Sequence, residues 1–125
     1  MSSIEEIVAK FLDEEEKDPE AKLLLSILRV LSSYYGVLWL SELYGDLIKF
    51  YSFFDWPIDF DIKRIDKAVD KLKKMGLITV ELRYKASYTN EVRKEKFVRL
   101  VDMRKTIDAL ANANDDAFSK FRNRF

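Results

Sequence analysis

The chain has 125 residues, 48% of them hydrophobic, which is enough to bury one core and predicts a single domain, 1–125. It holds 22 basic and 22 acidic residues and contains neither cysteine nor histidine. These absences exclude disulfides, thiolate metal sites and the usual general base, so we expect a protein that is not an enzyme and has no cofactor. The chain lacks glutamine and is rich in Lys, Glu and Asp, a bias compatible with a thermophile.

The longest apolar stretches are too short or too interrupted to cross a bilayer, and the N-terminal segment is acidic rather than signal-like. We therefore expect a cytoplasmic protein that makes no membrane contact.

The charges are segregated along the chain. Residues 1–62 hold five basic and thirteen acidic side chains, a balance of −8, whereas residues 63–105 hold fourteen basic and six acidic ones, a balance of +8. Because attraction acts through the local potential, such a chain can offer a positive surface to a polyanion although its net charge is zero. Nucleic acid is therefore the first partner to consider.

The first half of the sequence has helical periodicity. An N-terminal helix is predicted within residues 1–17. Asp18 and Pro19 suit the start of a second helix, and Gly36 suits its end. Ser41 is the predicted N-cap of a third helix that runs to about Tyr51.

The clearest helix is predicted from Asp61 to Met75, with one apolar face and one mostly cationic face. Gly76 ends it. The alternation that follows, from Val80 to Lys85, predicts a half-buried strand. A second strand is predicted at 96–101 after a turn near 89–91, and helical spacing resumes in a C-terminal helix over 103–125.

The run IDKAVDKLKKMGLI, residues 65–78, followed by a basic strand pair, resembles the third helix and wing of winged helix-turn-helix proteins of the MarR and PadR general type. The resemblance covers about residues 20–102. It implies a mainly α fold with a small β-hairpin: a winged helix-turn-helix core over 18–102 with extra N- and C-terminal helices. It also implies a recognition helix in the major groove of DNA and a wing on the backbone or minor groove. The long aromatic segment 49–60 departs from the compact family pattern.

These features predict a double-stranded DNA-binding protein, most simply a transcriptional regulator and otherwise an architectural protein. The candidate DNA contacts are the basic residues of the cationic helix and the hairpin, which could neutralise phosphates: Lys63, Arg64, Lys67, Lys71, Lys74, Arg83, Lys85, Arg93, Lys94 and Lys96. Among them, the exposed helix face offers only Arg64 for bidentate base recognition, so we expect modest sequence selectivity. A winged-helix protein-interaction module of a replication, transcription or repair assembly remains the alternative.

Two further sets of residues have competing interpretations. The aromatic residues of 34–60 could stack bases or line a ligand pocket, but their position in the acidic half favours packing. Asp55, Asp59 and Asp61 could be drawn as a magnesium site, although Asp59 and Asp61 are better placed to cap the cationic helix.

Apolar stripes in both terminal helices predict a homodimer, because a core this small is not expected to bury them all. The stripes are Ile4, Ile7, Val8, Phe11, Ile107, Leu110, Phe118 and Phe121. A two-fold dimer would place two recognition helices about one DNA turn apart, roughly 34 Å.

Overall fold

The computed structural model of the chain describes residues 3–86 and 92–123. In this part of the chain the elements are α1 (Ile4–Glu14), α2 (Pro19–Ser33), β1 (Val37–Trp39), α3 (Leu40–Phe53), α4 (Ile62–Lys74), β2 (Ile78–Ala86), β3 (Val92–Leu100), α5 (Met103–Asn112) and α6 (Asp116–Arg122). The protein is thus mainly helical with a β2–β3 hairpin, as the sequence predicts, and β1 adds a third strand to a small antiparallel sheet. None of the helices described combines the length and the hydropathy that a bilayer crossing requires.

The helix starts follow side-chain capping. Asp18 accepts a hydrogen bond from the Glu20 N–H at 3.0 Å, and Asp61 accepts one from the Arg64 N–H at 2.9 Å. Each bond satisfies a donor that the first helical turn leaves without an intrahelical partner. The predicted starts of α2 and α4 are therefore confirmed.

The predicted cap of α3 is wrong. The helix begins at Leu40, with Trp39 in the capping position, and the Glu42 carboxylate accepts from the Trp39 N–H at 3.1 Å. Ser41 lies inside the first turn, where its N–H donates to the Glu95 carboxylate of β3 at 2.7 Å. A local acceptor, Glu42, and a tertiary one, Glu95, thus replace the Ser41 cap that the sequence suggested.

The sheet has the strand order β1-β3-β2, with β3 in the centre. The β2–β3 register runs without interruption from Ile78 opposite Leu100 to Ala86 opposite Val92. β1 was not predicted, because three residues are too few to show an alternation. β3 begins at Val92, four residues earlier than predicted, and the predicted turn near 89–91 lies outside the described residues.

The prediction of a half-buried strand holds only for the first part of β2. Ile78 is buried, but Leu82 and Tyr84, on the same face, are each 68% exposed. They lie where the hairpin extends past the helices, so the alternation of the sequence continues beyond the core that would bury it.

The core is one cluster around α2, whose apolar side chains contact the terminal helices as well as the sheet. Val8, Phe118 and Phe121 are all buried in this core. The argument for a dimer through the terminal helices is therefore wrong, since the chain covers most of both stripes itself. The predicted single C-terminal helix is also two helices, because Asn114 adopts the left-handed conformation, φ 55°, between α5 and α6.

A buried ion-pair cluster joins three of the helical segments. Arg29, 1% exposed, donates from Nε and Nη2 to the Asp115 carboxylate at 2.6 and 2.8 Å, and it also pairs with Glu15 after the end of α1. Burial alone would lower the pKa of Arg29, but the hydrogen bonds to Asp115 and Glu15 raise it above its ordinary value. The guanidinium is therefore charged inside the core.

Candidate nucleic-acid interface

The outer side of α4 carries three exposed lysines. Lys63, Lys67 and Lys74 fall within about 40° of one another at 100° per residue, opposite the core residues Ile65 and Leu72. Among the described residues, none of the three lysines has an ion-pair partner. We call them the outer stripe. Its length is about 16 Å, from the helical rise of roughly 1.5 Å per residue.

Two other predicted cations of α4 point to the acidic part of the fold. Lys71 pairs with Glu20 of α2, and the hydrogen bond to that carboxylate raises the pKa of Lys71. Arg64 donates to the Asp59 carbonyl at 2.7 Å and lies 3.8 Å from the Asp59 carboxylate. Phosphate would have to compete with these carboxylates, so Lys71 and Arg64 are weaker candidates than the outer stripe.

The hairpin is joined to α4 by Lys96. Its Nζ lies 2.5 Å from the Asp66 carboxylate and 3.8 Å from that of Asp70, and the hydrogen bond to Asp66 raises the pKa of Lys96. The two acidic residues that interrupt the cationic face of α4 are therefore the acceptors that hold the hairpin beside it. The helix and the hairpin do lie side by side, but the ammonium group of Lys96 is engaged in the contact between them.

The sheet register divides the predicted hairpin cations between two faces. Residues directly opposite each other in an antiparallel pair share a face, and Lys94 lies opposite Tyr84 as Lys96 lies opposite Leu82. This is the face turned towards α4. Arg83, Lys85 and Arg93 lie on the other face, so the ten predicted contacts do not form one surface.

Cations on the other face are paired with neighbours in the sheet. Arg83 lies 2.7 Å from the Glu81 carboxylate and 4.5 Å from the ring centroid of Phe97. Lys85 lies 3.6 Å from Glu95 and 5.5 Å from the Trp39 ring. Burial tends to raise the pKa of Glu95, but hydrogen bonds from Ser41 and the charge of Lys85 outweigh it and lower that pKa. Glu95 therefore stays ionised and keeps Lys85 in the sheet.

The sequence analysis missed the ion-pair partners of these cations and their division between two faces of the sheet. Nothing in the spacing alone identified Asp66 as the partner of Lys96, 30 residues away. The strand period, however, already places residues 83 and 85 on the face opposite 82 and 84. Applied to the cations as well as to the apolar residues, it would have separated the two groups.

The aromatic residues pack against one another. The Phe50 ring lies 5.1 Å from Phe54, 5.6 Å from Trp56 and 4.8 Å from Phe121, all edge to face. Lys22 covers the other side of the cluster, 3.8 Å above the Trp56 ring. The segment 49–60, which includes the end of α3, therefore packs on itself and against α6, which is the packing that the sequence favoured.

The aspartates before α4 act as caps and acceptors: Asp61 caps the helix, and Asp59 binds Arg64. Within residues 3–86 and 92–123, no three acidic side chains are grouped to hold a metal ion.

No protein-family model matches the chain. A search of curated proteins also finds no significantly similar sequence.

Proposed function

We propose that the protein binds double-stranded DNA through the outer stripe of α4, with Lys94 of the hairpin as a further phosphate contact, and acts as a transcriptional regulator of modest sequence selectivity. The observation that carries the proposal is the outer stripe itself: three exposed lysines without an ion-pair partner among the described residues, on a helix that has a hairpin beside it. Three such charges span a distance comparable to the width of the major groove, about 12 Å.

The winged-helix resemblance supports the same proposal. The hairpin follows α4 directly and is held against it by Lys96, which is the relation between recognition helix and wing that the resemblance implies. The turn before α4 is longer than the family pattern, because residues 54–61 complete the aromatic packing. A cytoplasmic location, where DNA is accessible, belongs to this proposal.

A gel-shift titration of a random-sequence duplex at several salt concentrations tests it. The logarithm of the affinity should fall by about 0.9 per neutralised phosphate for each unit of log salt. Replacing Lys63 and Lys67 by Gln should reduce that slope by about 1.8. The matched control replaces Lys85 and Arg99 by Gln. Both lie on the sheet face that is turned away from α4, so the slope should stay unchanged. Equal slopes for all three proteins would mean that α4 does not contact DNA.

A protein-interaction module is the second candidate, and one observation favours it. Leu82, Tyr84 and Val92 are all more than 60% exposed on the hairpin, which is unusual for a hairpin that meets only phosphates. A wild-type protein that shows no salt-dependent DNA binding would leave this candidate in place.

A further inference from the structure

The outer edge of β2 is a long, regular strand edge. Within the described residues β2 pairs only with β3, over nine residues without a bulge, and it contains no proline. Free edges of this kind are usually blunted, since their unpaired N–H and C=O groups accept any added strand. The side chains of β2 show which strand this edge suits.

The sequence of β2 is complementary to itself in the antiparallel direction. If two copies of β2 are paired about Leu82, Glu81 of each copy lies opposite Arg83 of the other. On the opposite face, Val80 of each copy lies opposite Tyr84 of the other, and the two Leu82 side chains meet at the two-fold axis. Opposite charges and apolar–aromatic pairs are the cross-strand combinations that stabilise antiparallel sheets.

We propose that the protein forms a two-fold dimer in which the β2 edges of two copies pair about Leu82 and join the two sheets into one of six strands. The partner is a second copy of the chain, because β2 itself carries the charge order that opposes Glu81 and Arg83 and the apolar residues that match the Leu82 face. In the single chain these two side chains pair with each other at 2.7 Å while 57% and 44% exposed, so they are free to exchange partners.

The exposed apolar residues of the hairpin fit this arrangement. Leu82 and Tyr84 are each 68% exposed in the single chain and would be covered at the new pairing. A contact of one strand per copy falls among the small interfaces, below about 1,200 Å² in total. We therefore expect the dimer to form at micromolar rather than nanomolar concentration.

The two-fold axis of such a pairing is perpendicular to the sheet, so equivalent faces of both sheets point the same way. Because Lys96 holds α4 on the Leu82 face, the two α4 helices would lie on the same side of the dimer. The dimer does not depend on the proposed DNA binding, but it would present both outer stripes to one duplex.

Charge-reversal variants of Glu81 and Arg83 test the pairing, with the oligomeric state of each measured by sedimentation velocity. The wild type should change from monomer to dimer over the micromolar range. Glu81→Arg alone and Arg83→Glu alone should each be monomeric, because like charges then face each other. A one-to-one mixture of the two variants should recover a dimer, and the double variant E81R/R83E should also recover it. A control for Arg83→Glu with the same charge change on α5, Lys105→Glu, should dimerise like the wild type.

The mixture makes the test specific to this register, since only pairing about Leu82 sets position 81 opposite position 83. A wild type that is monomeric throughout, or single variants that dimerise as the wild type does, would overturn the inference; circular dichroism of each variant confirms that it is folded. A monomer that shifts DNA refutes the dimer alone, and a dimer that does not shift DNA refutes the proposed function alone.

Discussion

At the scale of single residues, the least replaceable side chain is Arg29. The guanidinium and its partner Asp115 are 1% and 2% exposed, so removal of one charge leaves the other buried without compensation. We expect Arg29→Met to lower the free energy of unfolding by about 3–5 kcal/mol, measured by urea denaturation.

An exposed ion pair provides the control. Lys120 and Asp116, 62% and 77% exposed, lie 2.9 Å apart, and Lys120→Met should cost less than about 1 kcal/mol. If both substitutions cost the same, the buried cluster would contribute no more than a surface pair. The sequence did offer a signal here, because Arg29 interrupts the apolar run of α2, but its partner 86 residues away could not be identified from spacing.

Tyr51 should make the free energy of unfolding depend on pH in the alkaline range. Burial raises the pKa of its hydroxyl to about 12 from an ordinary 10. The folded protein therefore keeps the proton where the unfolded chain loses it, and the free energy of unfolding should fall as pH rises from 10 to about 12, by up to roughly 3 kcal/mol. Urea denaturation across this range, compared with Tyr51→Phe, measures the contribution. A wild type and variant with parallel pH profiles would contradict it.

At the scale of elements, replacement of glycine by alanine should have opposite effects on stability at two positions. Gly36, between α2 and β1, has φ +81°, and an added Cβ would lie 3.1 Å from the Met103 sulfur. Gly36→Ala should therefore destabilise the fold by more than about 1 kcal/mol. Gly45 lies inside α3 with nothing within 4 Å of an added Cβ, so Gly45→Ala should stabilise by roughly 0.5–1 kcal/mol. Thermal denaturation of both variants checks the signs, and two shifts in the same direction would refute this reading of the backbone.

The sequence predicted an element correctly where the contacts that define it are local. The caps Asp18 and Asp61 and the period of α4 are properties of neighbouring residues, and they placed both helices correctly. The start of α3 combines a local bond from Trp39 to Glu42 with a bond from Ser41 to Glu95, more than 50 residues away, and it was misplaced. For the candidate site, the outer stripe followed from helical period alone. The pairing of Lys71 and Lys96 and the two faces of the hairpin required the tertiary arrangement.

At the scale of the whole molecule, charge distribution should outweigh net charge. The formal net charge is zero, yet the segment 63–105 is strongly basic. We expect the protein to be retained on a cation exchanger at pH 7 and to elute at lower salt when the three outer-stripe lysines are replaced by Gln.

The control removes the same amount of charge elsewhere. Replacing Lys10, Lys17 and Lys49, which lie in the acidic half, by Gln gives the same net charge but should change retention much less. Equal elution shifts for the two triple variants would show that retention follows net charge and not the cationic surface.

The cluster around Arg29 also bears on biosynthesis. Translation produces α2 long before Asp115, whose carboxylate is the fully buried counter-charge. Until α5 and α6 have been made, packing α2 would place an ion in an apolar interior with only part of its compensation. A nascent chain that ends before α5 should consequently resist compaction until Asp115 has been synthesised.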